Sequence, residues 1–505
     1  MTRHLKILAA LLAAACSAPR KSAAPPAPAA AAATAAPAPA APAGPDRTTP
    51  PAKGPAPELR LPDQKKFKLS NGLAVRLVEY RRLPIVAVNL VVDAGAARDP
   101  KTLPGVASFT ASMLTEGTKT RSAIRISDEA GFLGATISAG ASVDSASLSG
   151  ATLARHLPRF LDLFADVAMN PAFPRADFER VQDERLVTLL QQRDQPQAIA
   201  SKAFAPVFWG AHPYGHYSLG TEESVKATKP KDLATFHDQL WRPANAELVV
   251  VGDVSEAELR PLLEKTLGGW KAGKAASPLP AAPAAAPHRT LVLEKVDAPQ
   301  SYLFLGMPGL RRSSDDYVTG TVAFQVLGGG MASRLFRNLR EEKGYTYGIY
   351  ARGDARKLAG VSFIVGSVKA EVTGAALKEL FSEIRRLKDE PVPAGELDDA
   401  KDALVLSLPA DFATAGATAG RLADLVVNGL PDDYWNRYAE RVRKVTAEDV
   451  RRFTATYLDP SKLTLIMVAH PDTVRAQLAD LPLGPLEIRP APAAAAAPAK
   501  AARGR

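Results

Sequence analysis

Cysteine occurs once in the 505 residues, at Cys16, so no disulfide can form within the chain. Histidine is also scarce, with seven residues at positions 4, 156, 212, 216, 237, 288 and 470. Only His212 and His216 lie close together, four apart. Such a pair could be a metal pair, but Pro213 and Gly215 argue against one helical face, and the segment reads as a polar turn. No G-x-S-x-G elbow occurs, which speaks against a serine hydrolase of that type. The triglycine Gly328–Gly330 has no Lys-Ser/Thr after it and is not a phosphate loop. The apolar run Ile7–Ala15 has nine residues, against the ~20 that a membrane-spanning helix needs.

Charge of one sign is in excess, at +10, but it is placed at the ends. Residues 1–60 carry +5 and residues 485–505 carry +3, which leaves +2 for everything between. A near-neutral core lacks the electrostatic footprint of a nucleic-acid binder, so DNA and RNA are not expected partners.

Proline and alanine are abundant instead. Residues 17–60 and 485–505 are Ala/Pro-rich and cannot bury enough apolar surface to fold, so they read as a disordered tether and a disordered tail. Ahead of the tether, Arg3 and Lys6 precede Ile7–Ala15, and Cys16 closes the run. Residues 1–16 therefore read as an export signal. The pattern resembles a bacterial lipoprotein signal, in which the Cys is lipidated, although Ala13 stands where Leu is usual. Cleavage near Ala15 as a plain secretory signal is the alternative. Ser17 after the Cys points, by the same resemblance, to the outer membrane facing the periplasm.

The remaining residues, 61–484, use one plan twice. Residues 232–254 and 449–471 align at an offset of 217, pairing Asp232 with Asp449, Phe236 with Phe453, Pro243 with Pro460 and Val251 with Val468. Each copy is an amphipathic helix, a Pro-containing turn and a short apolar strand. A second pair, 157–186 and 377–404, aligns Pro171 with Pro391. The chain thus divides into halves 61–274 and 288–484, joined by the Ala/Pro linker 275–287. Ser70-Asn71-Gly72 marks a hairpin, Ile85–Val92 a buried strand, and Pro104–Leu114 a helix. In the second half, Gln300–Met307 reads as a strand and Tyr317–Leu327 as a helix. Hairpins and helix pairs without strict βαβ alternation predict an α+β fold.

The order of motifs resembles a known family. A hairpin and an apolar strand end in Asp93-Ala94-Gly95, and the run Gly105–Thr118 follows. Asn170-Pro171-Ala172-Phe173, His212-Pro213-Tyr214-Gly215, Leu219-Gly220-Thr221 and Val251-Gly252-Asp253 come next. Over roughly residues 65–475 this is similar to the pitrilysin/insulinase family of zinc metallopeptidases, which includes the mitochondrial processing peptidases. The resemblance implies two homologous α+β halves forming a clamshell-like chamber. It also implies a helix bearing H-x-x-E-H, whose two His bind zinc while the Glu activates water.

This chain departs from that pattern at every such position. Ser108 and Ser112 stand for the two His and Ala111 for the Glu. The third family ligand, a Glu, falls in register with Val187–Leu189, where no carboxylate occurs, and Glu184 is about one turn early. No metal ligand and no catalytic residue are therefore expected in this chain. Residues 327–350, LGGGMASRLFRNLREEKGYTYGIY, do match the family's R-x-x-x-x-x-x-Y segment, and the resemblance makes Arg340 and Tyr347 substrate-binding residues.

Some bacterial members of the family divide the zinc motif and the Arg/Tyr pair between two chains. By that resemblance this chain is the non-catalytic subunit of a heterodimeric zinc peptidase. It would be lipid-anchored, would carry no cofactor of its own, and would bind peptides beside a zinc-bearing partner. Two alternatives stand: a stand-alone pseudo-peptidase that binds peptides or serves as a structural protein, and an active peptidase with an unrecognised metal site.

Overall fold

The computed structural model describes residues 54, 59–283 and 287–492. The signal, Cys16 and nearly all of the tether lie outside the described residues. No helix among the described residues is long and apolar enough to cross a membrane.

Two six-stranded mixed sheets carry the fold, one per half, and helices cover them. The first is built from β1 (Lys65–Lys68), β2 (Ala74–Glu79), β3 (Ile85–Val92), β4 (Thr136–Ala141), β5 (Ala146–Leu153) and β6 (Ala246–Gly252), in the order β1-β2-β6-β3-β5-β4. The second contains β7 (Arg289–Glu294), β8 (Gln300–Gly309), β9 (Thr346–Asp354), β10 (Gly360–Lys369), β11 (Thr464–Ala469) and β12 (Leu486–Pro490), in the order β12-β7-β11-β8-β10-β9. From the second strand inward the two orders are the same. In each, a matching parallel pair (β2 with β6, β7 with β11) is followed by an antiparallel one (β6 with β3, β11 with β8). The repeat read from residues 232–254 and 449–471 ends on β6 and β11, which occupy the same place in the two sheets.

The outermost strands differ. β1 is antiparallel to β2, whereas β12 runs parallel to β7. β12 corrects the expected boundary at 484, because ordered structure continues through Pro490 into a stretch read as disordered tail. The Leu486–Pro490 backbone takes the hydrogen bonds that β7 offers at its open side, and Arg289 pairs with Glu487. Sheet pairing of this kind leaves little trace in composition. The linker is likewise held to the fold: the Asn245 side chain accepts from the Ala276 amide at 2.6 Å, and the His212 ring bonds the Pro280 carbonyl at 3.2 Å.

The halves exchange a helix. Pro196–Trp209, from the first half, lies on β8 and β11 of the second sheet, where Phe204 stacks on Phe304 with ring centres 4.3 Å apart. A Cβ at Gly306 would stand 2.2 Å from the Phe204 ring, so only glycine lets that ring seat. Ala415–Asn428, from the second half, lies on β3 and β6 of the first sheet. Arg76, almost fully buried, adds an ion pair across the halves to Asp432 at 2.6 Å while also holding Glu247 at 2.9 Å. Tyr214 of the HPYG turn donates to Asp144 and accepts from the Leu358 amide at 3.3 Å. Where they meet, the halves are therefore in direct side-chain contact, and each completes the other's apolar cover.

Candidate functional site

The helix Val106–Met113 starts at Gly105, whose φ of 99° and whose close approach to Leu219 and Gly220 admit no Cβ. Its first amides are capped by Asp99, whose carboxylate accepts from Gly105 N at 2.6 Å and from Ala107 N at 2.7 Å. The same carboxylate, 1 % exposed, meets His216 Nε2 at 2.9 Å. His212 instead accepts from the Tyr214 amide at 3.1 Å. The two histidines thus serve different partners, as expected of a polar turn.

Ser108 and Ser112 lie one turn apart on this helix and are half-buried, while Ala111 is fully buried. The Ser108 hydroxyl is within hydrogen-bond reach of two carbonyls, Ser218 at 2.6 Å and Gly105 at 3.1 Å. The Ser112 hydroxyl donates to the Phe109 carbonyl at 2.9 Å. Both oxygens accept from one guanidinium: Arg185 Nη1 reaches Ser108 Oγ at 3.2 Å, and Nη2 reaches Ser112 Oγ at 3.1 Å.

Arg185 is the residue that sequence reasoning missed. It sits on the helix Arg175–Gln191, whose buried face is Phe178, Val181, Arg185 and Leu189. Within the expected register Val187–Leu189, Val187 is 51 % exposed and Leu189 is buried on the face of Arg185, and it is Arg185 that reaches the serines. Glu184 is exposed and pairs with Arg180. The signal was available, because Arg185 is a charge in an otherwise apolar stripe at helical spacing. Arg185 is only 8 % exposed, its guanidinium lies 4.6 Å over the Phe109 ring, and Phe109 stacks on Phe178 at 4.9 Å. Burial pushes the guanidinium down to about 10, opposed by the charge of Asp99. Among the described residues it makes no ion pair with a carboxylate.

These donors do not fit zinc. Neutral hydroxyls are poor ligands, and a guanidinium has no lone pair to offer. Among the described residues no group of three or more His, Cys, Asp and Glu is placed to hold a metal ion.

The second group is built on two local irregularities. Arg340 lies on a π-helical turn, Arg337–Glu342, a feature frequent at functional sites. Tyr347 lies in β9 at a bulge: Thr346 pairs with Val368 and Gly348 with Ser367, which leaves Tyr347 without a partner. Bulges re-aim side chains, and Tyr347 is 85 % exposed. The Arg340 guanidinium stacks 5.2 Å over the Tyr347 ring and 4.6 Å over Phe336. A core position for Tyr347 is therefore ruled out, and Arg340 has no carboxylate partner among the described residues. No hydrogen bond, ion pair or ring contact joins this group to Ser108, Ser112 and Arg185.

Two family models match the chain. Residues 76–222 match the insulinase (peptidase family M16) model, and residues 228–404 match the model of the peptidase M16 inactive domain. The chain belongs to the pitrilysin/insulinase family of peptidases and their inactive homologues. It is 24% identical over 344 residues to the uncharacterized zinc protease YmxG of Bacillus subtilis, covering 68% of this chain and 83% of that protein. It is 22% identical over 395 residues to the non-peptidase homolog YmxG of Helicobacter pylori, covering 78% and 90%. Among solved structures, the M16 inactive domain from Pseudomonas fluorescens superposes with a TM-score of 0.76 at 27% identity, covering 81% of this chain and 98% of that one. A Helicobacter pylori protease shares the fold, with a TM-score of 0.74 at 20% identity and coverage of 81% and 100%.

Proposed function

We propose that this chain is the non-catalytic subunit of a heterodimeric zinc peptidase of the cell envelope. It is exported, anchored through a lipid on Cys16, and supplies Arg340 and Tyr347 to the active site of a zinc-bearing partner. The observation that carries this reading is Tyr347 on its bulge, held outward under Arg340 on a chain whose own zinc positions are two serines and an alanine. An exposed phenol and an arginine fork are wasted on the isolated chain. Beside a partner's metal, the fork can hold a peptide carbonyl or carboxylate, and the phenol can donate to a developing oxyanion.

The sheet edges support peptide binding by strand addition. In each half the far edge is blunted: β1 by Lys65, Lys66 and Lys68, and β12 by Glu487, Arg489 and Pro490. The opposite edges are less charged. β4 (TISAGA) carries no charge and lies against the helix of Ser108, and β9 carries none before Arg352.

The filled serine–arginine centre and the name of the Helicobacter relative favour a second reading, a stand-alone pseudo-peptidase that binds peptides. Tyr347→Phe separates the two. In a reconstituted complex with a zinc-bearing homologue, the first reading expects chelator-sensitive peptidase activity whose kcat falls by about 10²–10³-fold in the variant. Wild-type turnover by the variant in an active complex would remove Tyr347 from the site and leave the second reading.

A further inference from the structure

The place where relatives hold a metal is not merely emptied of ligands in this chain. It contains a fixed cation. The Arg185 guanidinium spans the two serine positions, one amino group to each hydroxyl, and approaches from the helix on which the family resemblance puts the third ligand. The Ser108 and Ser112 hydroxyl protons are directed to backbone carbonyls, so the serines face Arg185 purely as acceptors. These bonds engage two of the five N–H groups of the guanidinium.

A cation more than nine-tenths buried is ordinarily paired with an anion, because desolvation costs several kcal/mol that hydroxyl dipoles only partly return. Arg185 has no carboxylate bonded to it among the described residues. Asp99, whose charge acts on it, spends its oxygens on Gly105, Ala107 and His216. No anion of the described residues fills the place of its partner. The two serines beside it are half-buried and not sealed. The uncharged edge β4 packs against the same helix.

We propose that Ser108, Ser112 and Arg185 form a carboxylate-binding site in which the guanidinium takes the place of the metal. It grips a carboxylate of an extended peptide and performs no hydrolysis. This rests on the peptide-binding reading above and specifies the ligand. The carboxylate comes either from a peptide C-terminus or from an Asp or Glu side chain, and both present the same planar pair of oxygens to the fork.

The test uses the full chain and four fluorescent hexapeptides of one sequence: free acid or C-terminal amide, each with a central Glu or Gln. Anisotropy titrations at low salt are run on wild type, Arg185→Met and Arg185→Lys, with thermal melts to verify folding. The expected result is that wild type prefers one carboxylate-bearing peptide over its amide by about tenfold or more. Arg185→Met should lose that preference and Arg185→Lys should keep part of it. Preference for the free acid identifies the C-terminus as the source, and preference for Glu over Gln identifies a side chain. The proposal is overturned if Arg185→Met discriminates as wild type does. If Arg185→Met does not fold, unchanged discrimination by Arg185→Lys overturns it in the same way. Equal binding of all four peptides also overturns it but leaves peptide binding by this subunit intact. Binding of none removes both.

Discussion

Arg185→Met should change the stability of the isolated protein very little, although it deletes a buried, doubly hydrogen-bonded charge. Burial pushes the guanidinium down to about 10, so keeping it charged costs roughly 3 kcal/mol at ~1.4 kcal/mol per pH unit. Methionine recovers that. It forfeits two bonds to hydroxyls, which at the low end of charged hydrogen bonds are worth about 1.5 kcal/mol each. Neither serine is left with an unused proton, because Ser218 and Phe109 carbonyls remain in place, and water reaches both half-buried side chains. Methionine also keeps a flexible, polarizable contact with the Phe109 ring. The terms cancel to within about 1 kcal/mol. Urea unfolding followed by tryptophan fluorescence is well suited, since Trp209, Trp241, Trp270 and Trp435 are all buried. A loss above about 3 kcal/mol, the range for breaking a required buried ion contact, would refute the reasoning. It would make Arg185 a clip between two helices, kept for stability and not for an absent anion.

Two further outcomes follow from other parts of the chain. His237 is buried, bonds the Ala168 carbonyl at 2.9 Å and is pushed down to about 4 by burial. Its contribution is complete above the unfolded value near 6.5 and is lost as pH falls toward 4, up to roughly 3 kcal/mol. The urea midpoint of wild type should therefore fall further between pH 7.5 and 4.5 than that of His237→Gln, and equal falls would show that His237 is not the group titrating. Cys16→Ala should release the protein from the membrane pellet into the soluble periplasmic fraction. A variant that stays in the pellet unchanged would end the lipid-anchor proposal.

Much of the architecture is written in local pattern. The β-branched run at 85–92 is strand β3 as expected, the helix expected at 104–114 is Val106–Met113, and that expected at 317–327 is Tyr317–Gly328. Local periodicity reports which face of an element is buried, and a duplicated pattern reports a duplicated fold, so α+β and two halves were legible from sequence. The loss of H-x-x-E-H was equally plain, because a metal ligand is a matter of residue type.

What covers a buried face is a different question, and tertiary structure alone answers it. Nothing local tells the helix at 196–209 to leave its own sheet for β8 and β11, or its counterpart at 415–428 to cross the other way. The apolar faces are interchangeable, and the choice is made by the seat that Gly306 opens for Phe204. The bulge that turns Tyr347 outward depends on β10 being its neighbour, and β12 exists only because β7 offers an open edge. Arg185 shows the division most clearly. In sequence it is a charge in an apolar stripe, two places before the expected window Val187–Leu189, and nothing there names its partners. Only helix-to-helix packing brings its guanidinium to Ser108 and Ser112, because a hydrogen bond across 77 residues is fixed by where two elements come to rest and not by what precedes or follows either.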